Sequence, residues 1–135
     1  MVSEMVVGVY SDDLQKSKKF YGDLLGLVPM FDSDWVVQMT SKDNQSLNLT
    51  LQLRTHDSIP EAFRKNPQGV SVAFVVPDVD AVFKTAQSME LEIVQPPKNE
   101  EYGQRRFLTL DPNGLLIDVS SDCEPSAEFV QKYLS

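Results

Sequence analysis

The chain of 135 residues has one cysteine, Cys123, one histidine, His56, and one tryptophan, Trp35. A single cysteine excludes an intrachain disulfide and any thiolate zinc cluster. A single histidine excludes a two-histidine metal site within one chain, and it leaves Ser-His-Asp chemistry one candidate base. No apolar run approaches the ~18 residues of a membrane-spanning helix, and the opening MVSEMVVGVYSDD is too short and too acidic for a secretory leader. These absences point to a soluble, cytoplasmic protein. Basic residues are also scarce, 12 against 20 acidic, for a net charge of −8. That field repels a phosphate backbone, so nucleic acid is a poor partner, while a cationic or neutral small molecule is not disfavoured. Neither a phosphate-cradling glycine loop nor a Gly-x-Ser-x-Gly elbow occurs.

What is present suffices for a core: 41% of residues are hydrophobic and 24% charged, the balance of one globular domain over residues 1–135. A β-rich segment at 5–10 runs into Ser11-Asp12-Asp13, which suits a helix N-terminus. Leu14, Ser17, Phe20, Tyr21, Leu24 and Leu25 then recur at helical spacing up to Gly26. Strands are expected at 27–32, 35–40 and 47–53, giving β-α-β-β-β. A polar stretch at 55–68, with a short helix near 61–65, separates this from a second copy. There, strand 70–76 is followed by a helix from 77–80 through Glu90. Further strands are expected at 92–95, stopped by Pro96-Pro97, at 105–110 and at 115–120, the last entered through the turn Asp111-Pro112-Asn113-Gly114. Pro125 fits the first turn of a terminal helix over 125–135. Asp13 and Asp78 lie 65 positions apart, and the same offset carries Leu24 to Met89 and Val28 to Ile93, so an internal duplication is expected.

These motifs resemble the vicinal oxygen chelate superfamily, which includes glyoxalase I, bleomycin-resistance proteins and extradiol dioxygenases. The residues that carry the likeness are Asp13 to Tyr21 with Leu24 to Leu27, Ala73 to Asp80, Gly103 with Arg105 to Phe107, and Asp111 to Gly114 followed by Ile117-Asp118. The resemblance implies an α+β fold of two βαβββ modules, here 5–54 and 70–120, whose mixed sheets curve around a ligand cleft in a homodimer.

In metal-dependent relatives each module supplies one ligand from its first strand and one from its fourth. Carried over residue by residue, those positions fall on Val6, Ser71 and Asp118, with Gln52 as the counterpart of Asp118 and Thr50 as the alternative. Valine has no donor atom and a serine hydroxyl is a poor transition-metal ligand, so neither a metal nor another cofactor is expected. His56 lies in the polar segment and reads as a solvated histidine with no carboxylate partner. Cys123 has no basic neighbour in sequence, and no activation of its thiol is visible.

The candidate ligand-binding residues are Trp35, Gln52, Ser71, Tyr102, Arg106, Leu108 and Asp118. Trp35 and Tyr102 are stacking walls for a planar molecule. Arg106 and Asp118 flank the Asp111–Gly114 turn at nearly equal heights, so a hairpin would bring them together. The expected function is that of a metal-free protein of the bleomycin-resistance kind, binding a small molecule, with no nucleic acid or membrane partner. The alternative is a glyoxalase-like metal-dependent lyase or dioxygenase.

Overall fold

The computed structural model describes all residues, 1–135. Strand β1 (Val7–Ser11) leads into helix α1 (Leu14–Leu25), whose start is set by Asp13. The Asp13 Oδ1 accepts the backbone N–H groups of Gln15 and Lys16 at 3.0 and 3.2 Å, groups that have no partner inside the helix. The helix buries its Leu14, Ser17, Phe20, Tyr21 and Leu24 stripe and stops at Gly26, whose φ of 69° favours glycine. Strands β2 (Leu27–Asp32), β3 (Val36–Ser41) and β4 (Leu49–Leu53) complete a four-stranded sheet in the order β1-β4-β3-β2, with β1 parallel to β4.

The pattern then recurs with β5 (Ser71–Val75), α2 (Val79–Ser88), β6 (Ile93–Glu100), β7 (Gln104–Leu110) and β8 (Leu116–Asp122). Their sheet has the order β5-β8-β7-β6, with β5 parallel to β8. Two mixed sheets with helices and no closed barrel are the α+β architecture expected. The chain forms two compact units, Met1–Gln68 with Asp111–Gly114, and Gly69–Leu110 with Leu115–Ser135. In each unit one sheet face is buried: Val9, Val37, Met39, Leu49 and Leu51 in the first, Phe107, Ile117 and Val119 in the second. Alternation leaves the other face less covered, carrying Gly8, Tyr10, Thr50 and Gln52 in the first unit and Ser71, Ala73, Leu108 and Asp118 in the second.

Several boundaries differ from expectation. β6 does not stop at Gln95 but runs on through Pro96-Pro97 to Glu100, with a shifted register around the prolines. It is the outer strand of its sheet, where a missing N–H need not break the ladder. α2 ends at Ser88, with Glu90 following at φ 56°. Pro125 precedes the terminal helix, which is capped by Ser126 and consists of α3 (Ala127–Phe129) and a π-turn, Val130–Leu134.

The segment after β4 is built rather than loose. Ile59 is buried, and Arg64 donates from Nε to the Ile59 carbonyl at 2.9 Å. Arg54 holds the same segment, donating from Nη1 to Asn66 Oδ1 at 2.8 Å and lying 2.8 Å from Asp12.

The Asp111–Gly114 turn is locked by a buried polar network within the first unit. Tyr21 donates its hydroxyl proton to Asp111 Oδ2 at 2.8 Å, and Asp111 Oδ1 accepts the Asn113 N–H at 2.8 Å. Asn113 Nδ2 donates to Ser17 Oγ at 3.1 Å, and Ser17 in turn bonds Ser11 Oγ at 2.6 Å. Burial first, then the charge and hydrogen bond of Asp111, push the Tyr21 ionisation far above its ordinary value.

Candidate functional site

The less covered face of the second sheet carries a linked group of charges, Arg106 with Asp118 and Glu100. Asp118 on β8 lies across from Ala73 on β5 and Leu108 on β7. Arg106 lies across from Ser120, one diagonal step from Asp118, and donates from Nη1 to Asp118 Oδ2 at 3.0 Å. The expected hairpin contact is therefore made on the diagonal rather than directly across. Arg106 Nε faces Glu100 Oε1 at 3.5 Å, Gln95 Nε2 donates to the same oxygen at 3.4 Å, and Lys98 Nζ lies 4.0 Å from it.

Burial alone would lower the Arg106 pKa. The hydrogen bond and charge of Asp118, with smaller effects from Tyr102 and Glu100, outweigh it, so Arg106 is held above its ordinary value and stays charged. Asp118 and Glu100 are nearly enclosed, at 16% and 15% side-chain exposure. Asp118 is only half paired: its Oδ1 is shielded from solvent and accepts no hydrogen bond, and the Arg106 Nε–H, though ion-paired with Glu100, donates none. An unpartnered buried group of this kind costs about 1–3 kcal/mol.

The second unit thus brings Arg106, Asp118 and Leu108 together, with Tyr102 close enough to affect Arg106 electrostatically. Ser71 stands on the same face one step along, across from Leu116. Of the adjacent arginines only Arg106 shares the Asp118 face. Arg105 forks onto Asp80, with Nε at 3.2 Å from both carboxylate oxygens and Nη2 at 3.1 Å from Oδ1. It also lies close enough to Cys123 to interact electrostatically, so the thiol has a basic neighbour that the sequence did not reveal.

Trp35 and Gln52 belong to the first unit. Trp35 sits in the bend before β3, and His56 stacks on it with ring centroids 3.7 Å apart and planes 11° apart. One face of the expected stacking wall is therefore taken by the chain itself. His56 is half-buried, and its Nδ1 accepts the Ser58 N–H at 3.1 Å, so it is not the free, solvated histidine of the sequence reading. Gln52 lies across from both Tyr10 and Val36 on the less covered face, its Oε1 over Gly8.

Strand registers correct the assignment of equivalent positions. Gly8 and Ala73 each lie five residues before a helix-capping aspartate, and they pair with Thr50 and Asp118 respectively. Thr50, not Gln52, is thus the counterpart of Asp118, and Val36 is the counterpart of Arg106. The offset of 65 holds for the first strands and helices but not for the fourth strands. The family metal positions become Val6, Thr50, Ser71 and Asp118. One donor atom is absent, two are neutral hydroxyls, and the one carboxylate is bound to Arg106, so these residues do not fit a transition metal. No group of three or more His, Cys, Asp or Glu side chains is arranged to hold a metal ion.

A family model described as Glyoxalase/Bleomycin resistance protein/Dioxygenase superfamily matches residues 5–119. Among solved structures, a member of that superfamily from Sphaerobacter thermophilus superposes with a TM-score of 0.69 at 21% identity, covering 87% of this chain and 97% of that one. A lactoylglutathione lyase from Agrobacterium tumefaciens gives 0.66 at 21%, covering 89% and 94%. A protein of unknown function from the same organism gives 0.71 at 25%, covering 90% and 96%. No curated protein matches the chain.

Proposed function

We propose that this chain, which belongs to the Glyoxalase/Bleomycin resistance protein/Dioxygenase superfamily yet has no transition-metal ligand set at the family's metal positions, binds a small molecule without a metal. The observation that carries this reading is the Arg106–Asp118 pair at 3.0 Å. The only carboxylate at a family metal position already has a cation, and that cation is a side chain. The ligand lies against the second sheet, where Leu108 and Ala73 offer apolar contact beside Asp118, with Ser71 and Tyr102 near its margins.

The working assembly is a homodimer in the cytoplasm. Outer strands β2 and β6 are guarded by proline and register shifts, whereas β1 and β5 carry no such guard, and Val75 on β5 is exposed. No helix is long and apolar enough to cross a membrane. Sedimentation at micromolar concentration should show the dimer, and a lone species near 15.2 kDa would contradict it.

An equilibrium binding screen against bleomycin-like and mitomycin-like compounds, after dialysis against a chelator, tests the function. Saturable binding is expected. Binding that required added Zn²⁺ or Ni²⁺ would instead favour a metal-dependent lyase or dioxygenase, and no saturable binding across a broad panel would remove the proposal.

A further inference from the structure

The charges around Asp118 also select the chemistry of what binds. We infer that this face takes a protonated amine or amidine, held by Asp118 Oδ1 while Arg106 holds Oδ2, an inference that rests on the binding function proposed above.

Three observations converge on a cationic donor. Asp118 Oδ1 is a carboxylate oxygen with no donor, while its twin is fixed at 3.0 Å on Arg106. Such an oxygen accepts N–H and repels another oxyanion. The fixed charges beside it are two carboxylates, Glu100 and Asp118, against one guanidinium, and the nearest further cation, Lys98, is mostly exposed and lies toward Glu100. An incoming carboxylate would have to displace Asp118 from Arg106 and would still meet Glu100. Finally, the residue across from Asp118 on β5 is Ala73, small and exposed, and on β7 it is Leu108. A flat apolar body can lie along that row with its cationic end at Asp118. The net charge of −8 adds long-range attraction for the same sign.

The test uses three probes of nearly one shape, benzamidine, benzyl alcohol and benzoate, added to ¹⁵N-labelled full-length protein at millimolar concentration. Benzamidine should shift the Ala73, Leu108 and Asp118 amides saturably, while benzoate leaves them in place. Asp118→Asn should weaken benzamidine binding about tenfold, the loss of one charge-assisted contact, with the amide spectrum itself reporting that the variant is folded. The comparison of probes on the unaltered protein needs no variant. If benzoate or benzyl alcohol bound this face as well as benzamidine, binding would stand and the cationic class would fall. Unchanged benzamidine affinity in Asp118→Asn would likewise overturn the inference. If none of the three moved these amides, the cationic class would fall, while the binding function would still be decided by the broader screen.

Discussion

Arg106→Met should destabilise the protein by about 3 kcal/mol at neutral pH, read from urea denaturation. The methionine fills much of the same volume, so the loss is electrostatic. The substitution leaves the nearly enclosed Asp118 without its cation, and Glu100 with only the exposed Lys98 at 4.0 Å. Asp118→Asn should cost less, about 1 kcal/mol, because the amide oxygen still accepts from Arg106. Asp118→Ala should cost more than Asn, since it leaves the Arg106 guanidinium facing Glu100 alone. Combining Arg106→Met with Asp118→Asn should give less than the summed losses, because each substitution removes the partner that the other needs. Silence of both Asp118 substitutions in melting and in benzamidine binding would make Asp118 an ordinary surface residue.

Tyr21→Phe should cost about 2 kcal/mol, since it removes the hydroxyl that donates to the buried Asp111 Oδ2 at 2.8 Å. The same hydroxyl gives a pH signature. Tyr21 ionises far above its ordinary value of 10.0 in the folded chain, so the folded state holds a proton that the unfolded state releases. Its contribution is therefore complete below pH 10 and is lost as pH rises beyond it. The wild-type protein should lose stability steadily above pH 10, with the Tyr21 phenolate absorbance appearing only as the chain unfolds. In Tyr21→Phe that alkaline slope should be shallower. An equal slope in both proteins would show that Tyr21 is not the group responsible.

Much of this fold was legible because local chemistry marks its borders. Asp13 and Asp78 cap helices, Gly26 stops one, and Asp111 to Gly114 turn the last hairpin. The Asp111 carboxylate has a second task that no local pattern announces, since its partner Tyr21 lies 90 residues away.

The site was only partly legible. Arg106 and Asp118 could be paired because a hairpin fixes approximate heights, but period-2 alternation does not fix register. A slip of two residues keeps every side chain on its face, and for that reason the sequence points to Gln52 as the counterpart of Asp118 where the register gives Thr50. Glu100 was missed because Pro96-Pro97 reads as a strand end, while an outer strand tolerates both prolines. The stacking of His56 on Trp35 and the burial of Ile59 are packing events in an irregular segment, which carries no periodic signal.

The central claim is that a guanidinium stands with Asp118 where relatives use a metal. Elemental analysis of protein purified without chelator tests it most directly. Transition-metal content should be far below one ion per chain, in wild type and in Asp118→Asn alike. A stoichiometric metal in the wild-type protein that is lost in Asp118→Asn would contradict it.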